Sequence, residues 1–272
     1  ERKGTDSGDH GTHTAGTIAG RTVSGQNFGV APQCRLVSAE VIEGGQVIAR
    51  ILGGLNWVVT HKPRALSMSL GLRGYHTDFE MIINVLRARD ILPIIAVGNE
   101  GPFTSRSPGN YDSVLSVGAI SKANKVADFS GSQRFARAQD PLVPDLVGPG
   151  VDTLSCTPGN TYALMSGSSM ATPHIAGLAA LLFSARPQAT GREVEQAILA
   201  SCRRPAGMDE ERVNRGVPDA VLALEHLLGR TLTAAKPAQR AASAAKGKKK
   251  RTTKRPISKP ARTMAKKAGR RR

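Results

Sequence analysis

The chain alternates short apolar runs with segments of helical periodicity, and this alternation most restricts the folds open to it. The apolar runs predict strands at Arg35–Val41, Ala65–Leu70, Leu92–Ala96 and Val114–Ile120. Helices are predicted between them, at Val47–Val59 and Phe79–Arg89. Such a rhythm is typical of a parallel sheet whose strands are joined by crossover helices. We therefore expect an α/β fold with its functional groups in the loops that follow strands.

Helix signals continue toward the carboxyl end. Thr190 and Glu193 form a capping-box pattern before the apolar run Val194–Leu199, and a last helix is predicted at Ala220–Leu228. Beyond it the composition changes, since residues 231–272 hold 16 of the 38 Lys and Arg residues and none of the 21 acidic ones. Such a segment cannot bury a core. We expect a globular domain over residues 1–230 and a disordered basic tail over 231–272.

Two strings of small residues carry candidate nucleophilic chemistry. Residues 167–174 read Gly-Ser-Ser-Met-Ala-Thr-Pro-His and open an apolar helical run, and residues 10–16 read His-Gly-Thr-His-Thr-Ala-Gly. A serine hydroxyl needs a base in hydrogen-bond reach, which a histidine supplies. Ser169 could instead be an ordinary serine at a helix start. A third string, Val-Gly-Asn-Glu-Gly at 97–101, follows a strand, although Gly98-Asn99 also suits a simple turn.

The three strings, in this order, resemble the motifs of the subtilase (subtilisin-like serine protease) family. The resemblance implies a three-layer fold with a mostly parallel central sheet flanked by helices. It also implies that Ser169 is the nucleophile and His10 the general base and acid. The oxyanion would be held by the Asn99 side chain and the Ser169 amide. No cofactor is implied.

The resemblance also extends to the substrate groove. Ser69, Leu70 and Gly71 match the family's strand edge that pairs with an extended peptide. Val97 and Gly98 would border the pocket for the residue before the scissile bond, and Val97 favours an apolar side chain there. Polypeptides are thus the expected substrates.

The family's triad begins with an aspartate at the end of an early central strand. Only nine residues precede His10, so we expect that this strand and its Asp are absent and that the chain alone is a poor enzyme. Asp6-Ser7-Gly8 resembles the aspartate motif, but no apolar strand precedes it. We interpret Asp6 as a residue of the loop that enters the histidine helix.

Metal chemistry is not expected. His10 and His13 lack the His-Glu-x-x-His pattern of zinc proteases. The loop at 20–28, where many relatives bind calcium, contains no acid. The three cysteines are widely spaced and are interpreted as isolated thiols rather than disulfide partners.

Two classes of function remain open. The first is a serine endopeptidase acting through an acyl-enzyme. The second is a non-catalytic relative that binds peptide through the groove or a polyanion, such as nucleic acid, through the tail. The sequence contains no run of 18 apolar residues, so no membrane span is predicted, and no signal peptide is visible. The compartment stays open, with secretion favoured by the resemblance alone.

Overall fold

The computed structural model describes residue 6 and residues 8–42, 44–137 and 139–232. Its helices, in chain order, are α1 (His10–Ala19), α2 (Val47–His61), α3 (Glu80–Ala88), α4 (Ser168–Ala185), α5 (Gly191–Ala200), α6 (Glu210–Val213) and α7 (Ala220–Leu228). Its strands are β1 (Ala65–Met68), β2 (Leu72–Arg73), β3 (Leu92–Ala96), β4 (Arg106–Ser107), β5 (Leu115–Ile120), β6 (Gln133–Arg134), β7 (Leu142–Val143), β8 (Leu146–Pro149), β9 (Thr153–Thr157), β10 (Thr161–Met165), β11 (Cys202–Arg203) and β12 (Val217–Pro218).

The central sheet has the order β1-β3-β5-β8, and each neighbouring pair is parallel. Every residue of β3 and β5 is buried, as expected for strands covered by helices on both faces. Side chains of adjacent residues point to opposite faces. Ile94 accordingly packs with α4 and α5, and Ile95 packs with α2 and α3. The three-layer α/β architecture expected from the sequence is therefore confirmed.

Local signals place several element boundaries correctly. The capping box is present, because the Glu193 amide donates to Thr190 Oγ1 at 3.2 Å and the Thr190 amide donates to Glu193 Oε2 at 2.7 Å. Helix α7 spans Ala220–Leu228 as expected, with Asp219 Oδ1 accepting from two amides of its first turn. None of the helices in the described part of the chain has the length and hydropathy of a membrane span.

The strand predicted at Arg35–Val41 is wrong. Residues 34–42, which we call the outer segment, form no strand, and Leu36 and Val37 are 45 % and 52 % exposed. A strand needs a neighbour that completes its main-chain hydrogen bonds. Among the described residues, β1 pairs only with β3, and the outer segment makes no main-chain hydrogen bond to the other edge of β1. Alternating sequence alone does not make a strand here.

The basic tail expected at 231–272 lies outside the described residues from Thr233 onward. The chain divides into two units at this point, residues 1–232 and residues 233–272.

Candidate active site

Ser169 is the second residue of α4, where the helix begins at the carboxyl edge of the sheet. Pro173 lacks an N–H, so the Ser169 carbonyl has no helical donor four residues on. Ser69 supplies the replacement, since its hydroxyl donates to Ser169 O at 2.8 Å. The Ser169 hydroxyl donates in return to Ser69 O at 3.2 Å. This reciprocal pair fixes the candidate nucleophile against the chain that follows β1.

Asn99 follows β3 and is oriented by the first residue of α4. Its Oδ1 accepts from the Ser168 amide at 2.7 Å and from the Ser168 hydroxyl at 2.9 Å. The Gly98 amide donates to the same hydroxyl at 3.3 Å. Because an amide N–H can only donate, the carbonyl end of Asn99 must face Ser168. The Nδ2 donor therefore points the other way, beside Gly167 and the start of α4.

The start of α4 is suited to negative charge. The first amides of a helix lack partners within the helix, and the helix dipole is positive at this end. The Ser169 N–H belongs to this first turn. Both it and Asn99 Nδ2 lie close to Gly167, within 3.5 Å of where a Cβ on that glycine would stand.

A cavity of about 160 Å³ lies against these groups. Besides Ser168, Ser169 and Asn99, its lining consists of Ser69, Leu70, Gly71, Ala96, Gly98 and Arg106. Gly98 has φ +120°, and a Cβ there would lie 3.0 Å from Arg106 Cγ. Glycine is thus required both by the backbone and by the neighbouring arginine.

The structure does not place Val97 at this cavity, although the sequence suggested it as a pocket residue. Val97 is fully buried, whereas Ala96 and Gly98 on either side of it line the space. Side chains alternate along an extended chain, so Val97 points into the core. Arg106 lines the wall and was missed. It is the only charged residue between Glu100 and Asp112, which is the signal that could have found it.

His10 is the first residue of α1, which packs on α4 and on β9. Among the described residues, no hydrogen bond joins His10 to Ser169. Desolvation lowers the pKa of His10, the charge of His13 lowers it further and Asp6 raises it. Neutral imidazole is therefore the dominant form at pH 7, which is the form that accepts a proton.

Asp6 lies in the loop before α1, and its carboxylate accepts hydrogen bonds from the first turn of that helix. Its Oδ2 accepts from the Thr12 amide at 2.5 Å and from the Thr12 hydroxyl at 2.7 Å, and Oδ1 accepts from the Gly8 amide at 3.3 Å. Desolvation raises the pKa of Asp6, but the Thr12 bonds outweigh it and the net pKa is lowered. Its carboxylate is committed to the helix start, with no hydrogen bond to His10 in the described chain.

The other histidines of the motifs have structural contacts. His13 is fully buried, and its Nε2 lies 3.0 Å from Thr153 O and 3.1 Å from Ala163 O. It thereby ties α1 to the β9–β10 hairpin. His174 Nδ1 lies 2.8 Å from Met170 O within α4. The cysteines are free thiols, and no cluster of metal-binding side chains occurs among the described residues.

Comparison with known proteins identifies the family. The family model described as the subtilase family matches residues 1–228. Subtilisin from Bacillus pumilus is 36 % identical over 195 residues, covering 70 % of this chain and 68 % of that protein. Subtilisin E from Bacillus subtilis (strain 168) is 35 % identical over 195 residues, and the match spans about half (49 %) of its length and 70 % of this chain.

Solved structures show the same fold. The prenylagaramide maturation protease PagA superposes with a TM-score of 0.70 at 28 % identity, covering 82 % of this chain and 83 % of that one. The patellamide maturation protease PatA gives a TM-score of 0.71 at 26 % identity, covering 82 % and 85 %. The motifs, the parallel sheet and these matches lead to one conclusion: the chain belongs to the subtilase family of serine proteases.

Proposed function

We propose that this chain is the peptidase part of a serine endopeptidase that hydrolyses peptide bonds through an acyl-enzyme intermediate. The observation that carries the proposal is the orientation of Asn99. Its oxygen is occupied by Ser168, so its Nδ2 donor remains available beside Ser169. Asn99, which follows β3, and Ser169, in α4, thus line the same cavity at the edge of the sheet.

The chemistry follows from these groups. Ser169 Oγ attacks the substrate carbonyl carbon while neutral His10 takes the hydroxyl proton. The oxyanion that forms accepts from Asn99 Nδ2 and the Ser169 N–H. The C–N bond breaks as His10 returns the proton to the leaving amine. Water then attacks the ester by the same route in reverse, releasing the acid and restoring Ser169.

Before attack, the Ser169 hydroxyl must turn from Ser69 O toward His10. Its present bond is 3.2 Å long, at the weak end of O–H···O distances. Catalytic hydrogen bonds are often long or misaligned without substrate and tighten only in the complex. A peptide laid along Ser69–Gly71 as an added strand would bring its carbonyl carbon to this position.

A third catalytic group remains to be supplied. In the described chain no carboxylate is hydrogen-bonded to His10. The triad carboxylate fixes the imidazole tautomer and stabilises the imidazolium, and its removal lowers kcat by about 10⁴. We therefore expect these 272 residues alone to hydrolyse peptides about that much more slowly than a chain that adds an Asp-bearing strand at the free edge of β1.

A fluorophosphonate probe tests the proposal, because it reacts with an activated serine. In a chain that adds the Asp-bearing strand it should modify Ser169, identified by peptide mass, about 10⁴-fold faster than in the 272-residue chain, and it should not react with Ser169→Ala or His10→Ala. Ser166→Ala is the matched control, since this exposed serine lies three residues earlier and bonds Asp152 instead. A folded chain that carries the added strand and stays unlabelled would contradict the catalytic proposal and favour a non-catalytic peptide-binding relative.

Binding of a polyanion by residues 231–272 stays a prediction, since the family match ends at residue 228. Sixteen basic residues without acids should bind duplex DNA regardless of its sequence, with affinity falling steeply as salt rises. Comparing the whole chain with a chain ending at Arg230 decides this. Equal DNA binding by the two would contradict it. Secretion is likewise proposed on family grounds only.

A further inference from the structure

The wall of the cavity beside Ser169 carries an arginine that the proposed mechanism does not use. Arg106 lies in β4, and its Nη1 donates to Gly71 O at 2.8 Å. Its Nε donates to Glu100 Oε1 at 2.9 Å, and its Nη2 donates to the same oxygen. A guanidinium has five N–H donors, so two remain for a ligand. The arginine is thus held by three hydrogen bonds and keeps two donors that a ligand can use.

Charge at this wall is not balanced. Arg73 stands directly opposite Arg106 in the antiparallel pair β2–β4. The hydrogen bond from Arg106 lowers the pKa of Glu100, and the charges of Arg106 and Arg73 lower it further. Glu100 is therefore ionised at neutral pH. Two guanidinium groups share one carboxylate, which leaves an excess positive charge next to the cavity.

Both carboxylate oxygens of Glu100 accept hydrogen bonds within the protein. Its Oε2 accepts from the Asn99 amide at 3.1 Å, and its Oε1 accepts from Arg106. This geometry couples the charged wall to the residue that carries the oxyanion donor. The cavity's remaining lining is glycine, alanine and serine apart from Leu70 and Asn99, so it offers a large apolar side chain little complementary surface.

We propose that Arg106 makes this cavity selective for an acidic side chain at the substrate residue that precedes the scissile bond. The proposal rests on the function proposed above, because it takes the cavity beside Ser169 as the site of that residue. It replaces the apolar preference that Val97 suggested, since Val97 does not reach the cavity. The substrate carboxylate would accept from the two free N–H groups of Arg106.

Binding measured without turnover separates this proposal from the catalytic one. The protein is the full 272-residue chain carrying Ser169→Ala. The probes are tetrapeptide amides with fluorescein on the amino end. They differ only in their last residue, which is Glu, Gln, Phe or Lys. Fluorescence anisotropy measures the affinity of each peptide. Because the amide removes the charge of the carboxyl terminus, differences in affinity between the peptides come from the last side chain. We expect the Glu peptide to bind about tenfold more tightly than the Gln peptide, and this ratio to fall with salt.

Two substitutions of opposite sign sharpen the test. Arg106→Gln should bring the Glu-to-Gln ratio close to one. Glu100→Gln removes the competing carboxylate and keeps an acceptor for the Asn99 amide, so it should raise the ratio. Arg186→Gln is the matched control, because Arg186 also pairs with a glutamate but follows the far end of α4, roughly 27 Å from Ser168.

The outcomes are distinct. Tighter binding of Phe or Lys than of Glu, or a ratio that Arg106→Gln leaves unchanged, overturns the acidic preference. Circular dichroism and the urea midpoint of Arg106→Gln show whether that variant is folded, and the Glu100→Gln arm stands if it is not. Ser169 labelling by fluorophosphonate without a Glu preference would leave the catalytic proposal intact. A Glu preference without labelling would support the acidic preference and contradict the catalytic proposal.

Discussion

The start of α4 and the outer segment at residues 34–42 differ sharply in the contacts that hold them in place. At α4, Ser168 is 1 % exposed and joins Gly98, Asn99 and its own helix through hydrogen bonds. In the outer segment, Leu36 and Val37 are about half exposed and no strand forms. The first region is fixed by partners on several elements. The second has a strand-like sequence but no paired strand in the described structure, as expected if a strand forms only where a neighbour completes its hydrogen bonds.

The largest contrast between the regions should appear in stability. Ile94→Ala removes a side chain that is fully buried between β3 and α4, and it should lower the free energy of unfolding by about 2–5 kcal/mol. Leu36→Ala in the outer segment should lower it by less than about 0.5 kcal/mol. Urea denaturation of the two variants measures both values. Equal losses would mean that the outer segment is packed against the sheet after all.

This contrast also marks what the sequence could predict. The position of Ser169 at a helix start, the position of Asn99 after a strand and the parallel sheet could be predicted because each depends on a contiguous string of residues. Such local strings specify the local backbone directly. The capping box at Thr190 belongs to the same class, since its two partners are three residues apart.

Features set by distant partners were not accessible. Arg106 reaches the cavity because β4 pairs with β2, and its guanidinium meets Gly71, 35 residues earlier in the chain. The outer segment failed as a strand for the converse reason, since its pattern implied a partner that the described sheet does not provide. Val97 was misplaced by adjacency to Gly98, when alternation along the chain sends it to the core.

A second experiment removes one function of Asn99 and keeps the other. Asn99→Asp retains an oxygen for the Ser168 amide but loses the Nδ2 donor. We expect kcat to fall about 10²–10³-fold while the urea midpoint stays unchanged. Asn99→Ala loses both contacts, so it should also cost about 1 kcal/mol of stability, as for a lost helix cap. Peptide hydrolysis and urea denaturation, measured together, separate the two roles; full activity in Asn99→Asp would exclude Nδ2 as an oxyanion donor.

The buried side of the comparison can also be probed by pH. Burial raises the pKa of Asp145 from 3.8 to about 7, although the Ser116 amide, which donates to it at 2.6 Å, and Arg215 oppose the shift. The folded protein therefore holds a proton that the unfolded chain releases. The stabilisation that comes from protonated Asp145 is complete below about pH 4 and is lost progressively as the pH rises to about 7. Above that pH, Asp145 causes no further change in stability.

Asp145→Asn should remove this dependence. The difference in unfolding free energy between variant and wild type should grow in favour of the variant by up to about 4 kcal/mol between pH 4 and pH 7. Urea midpoints at several pH values measure it. Asp140→Asn is the control, because Asp140 is exposed and also pairs with Arg215. Parallel curves for wild type and Asp145→Asn would show that the carboxylate is ionised in the folded protein.

The smallest expected effect concerns α1, the helix that begins at His10 and packs on α4. Asp6 raises the pKa of His10 through its negative charge, while desolvation and His13 lower it. Asp6→Asn keeps an oxygen for the Thr12 amide but removes the charge, so the His10 pKa should fall further below 6.5. The sign follows because the imidazolium loses a nearby anion while the neutral ring is unaffected. NMR titration of the His10 Cε1 proton measures the shift without requiring activity.

Asp9→Asn is the matched control, since Asp9 directly precedes His10 but makes no side-chain cap to α1. If Asp6→Asn raises the His10 pKa, or shifts it no more than Asp9→Asn does, then Asp6 acts only as a helix cap and the acid limb of the pH–activity profile is set by burial and His13.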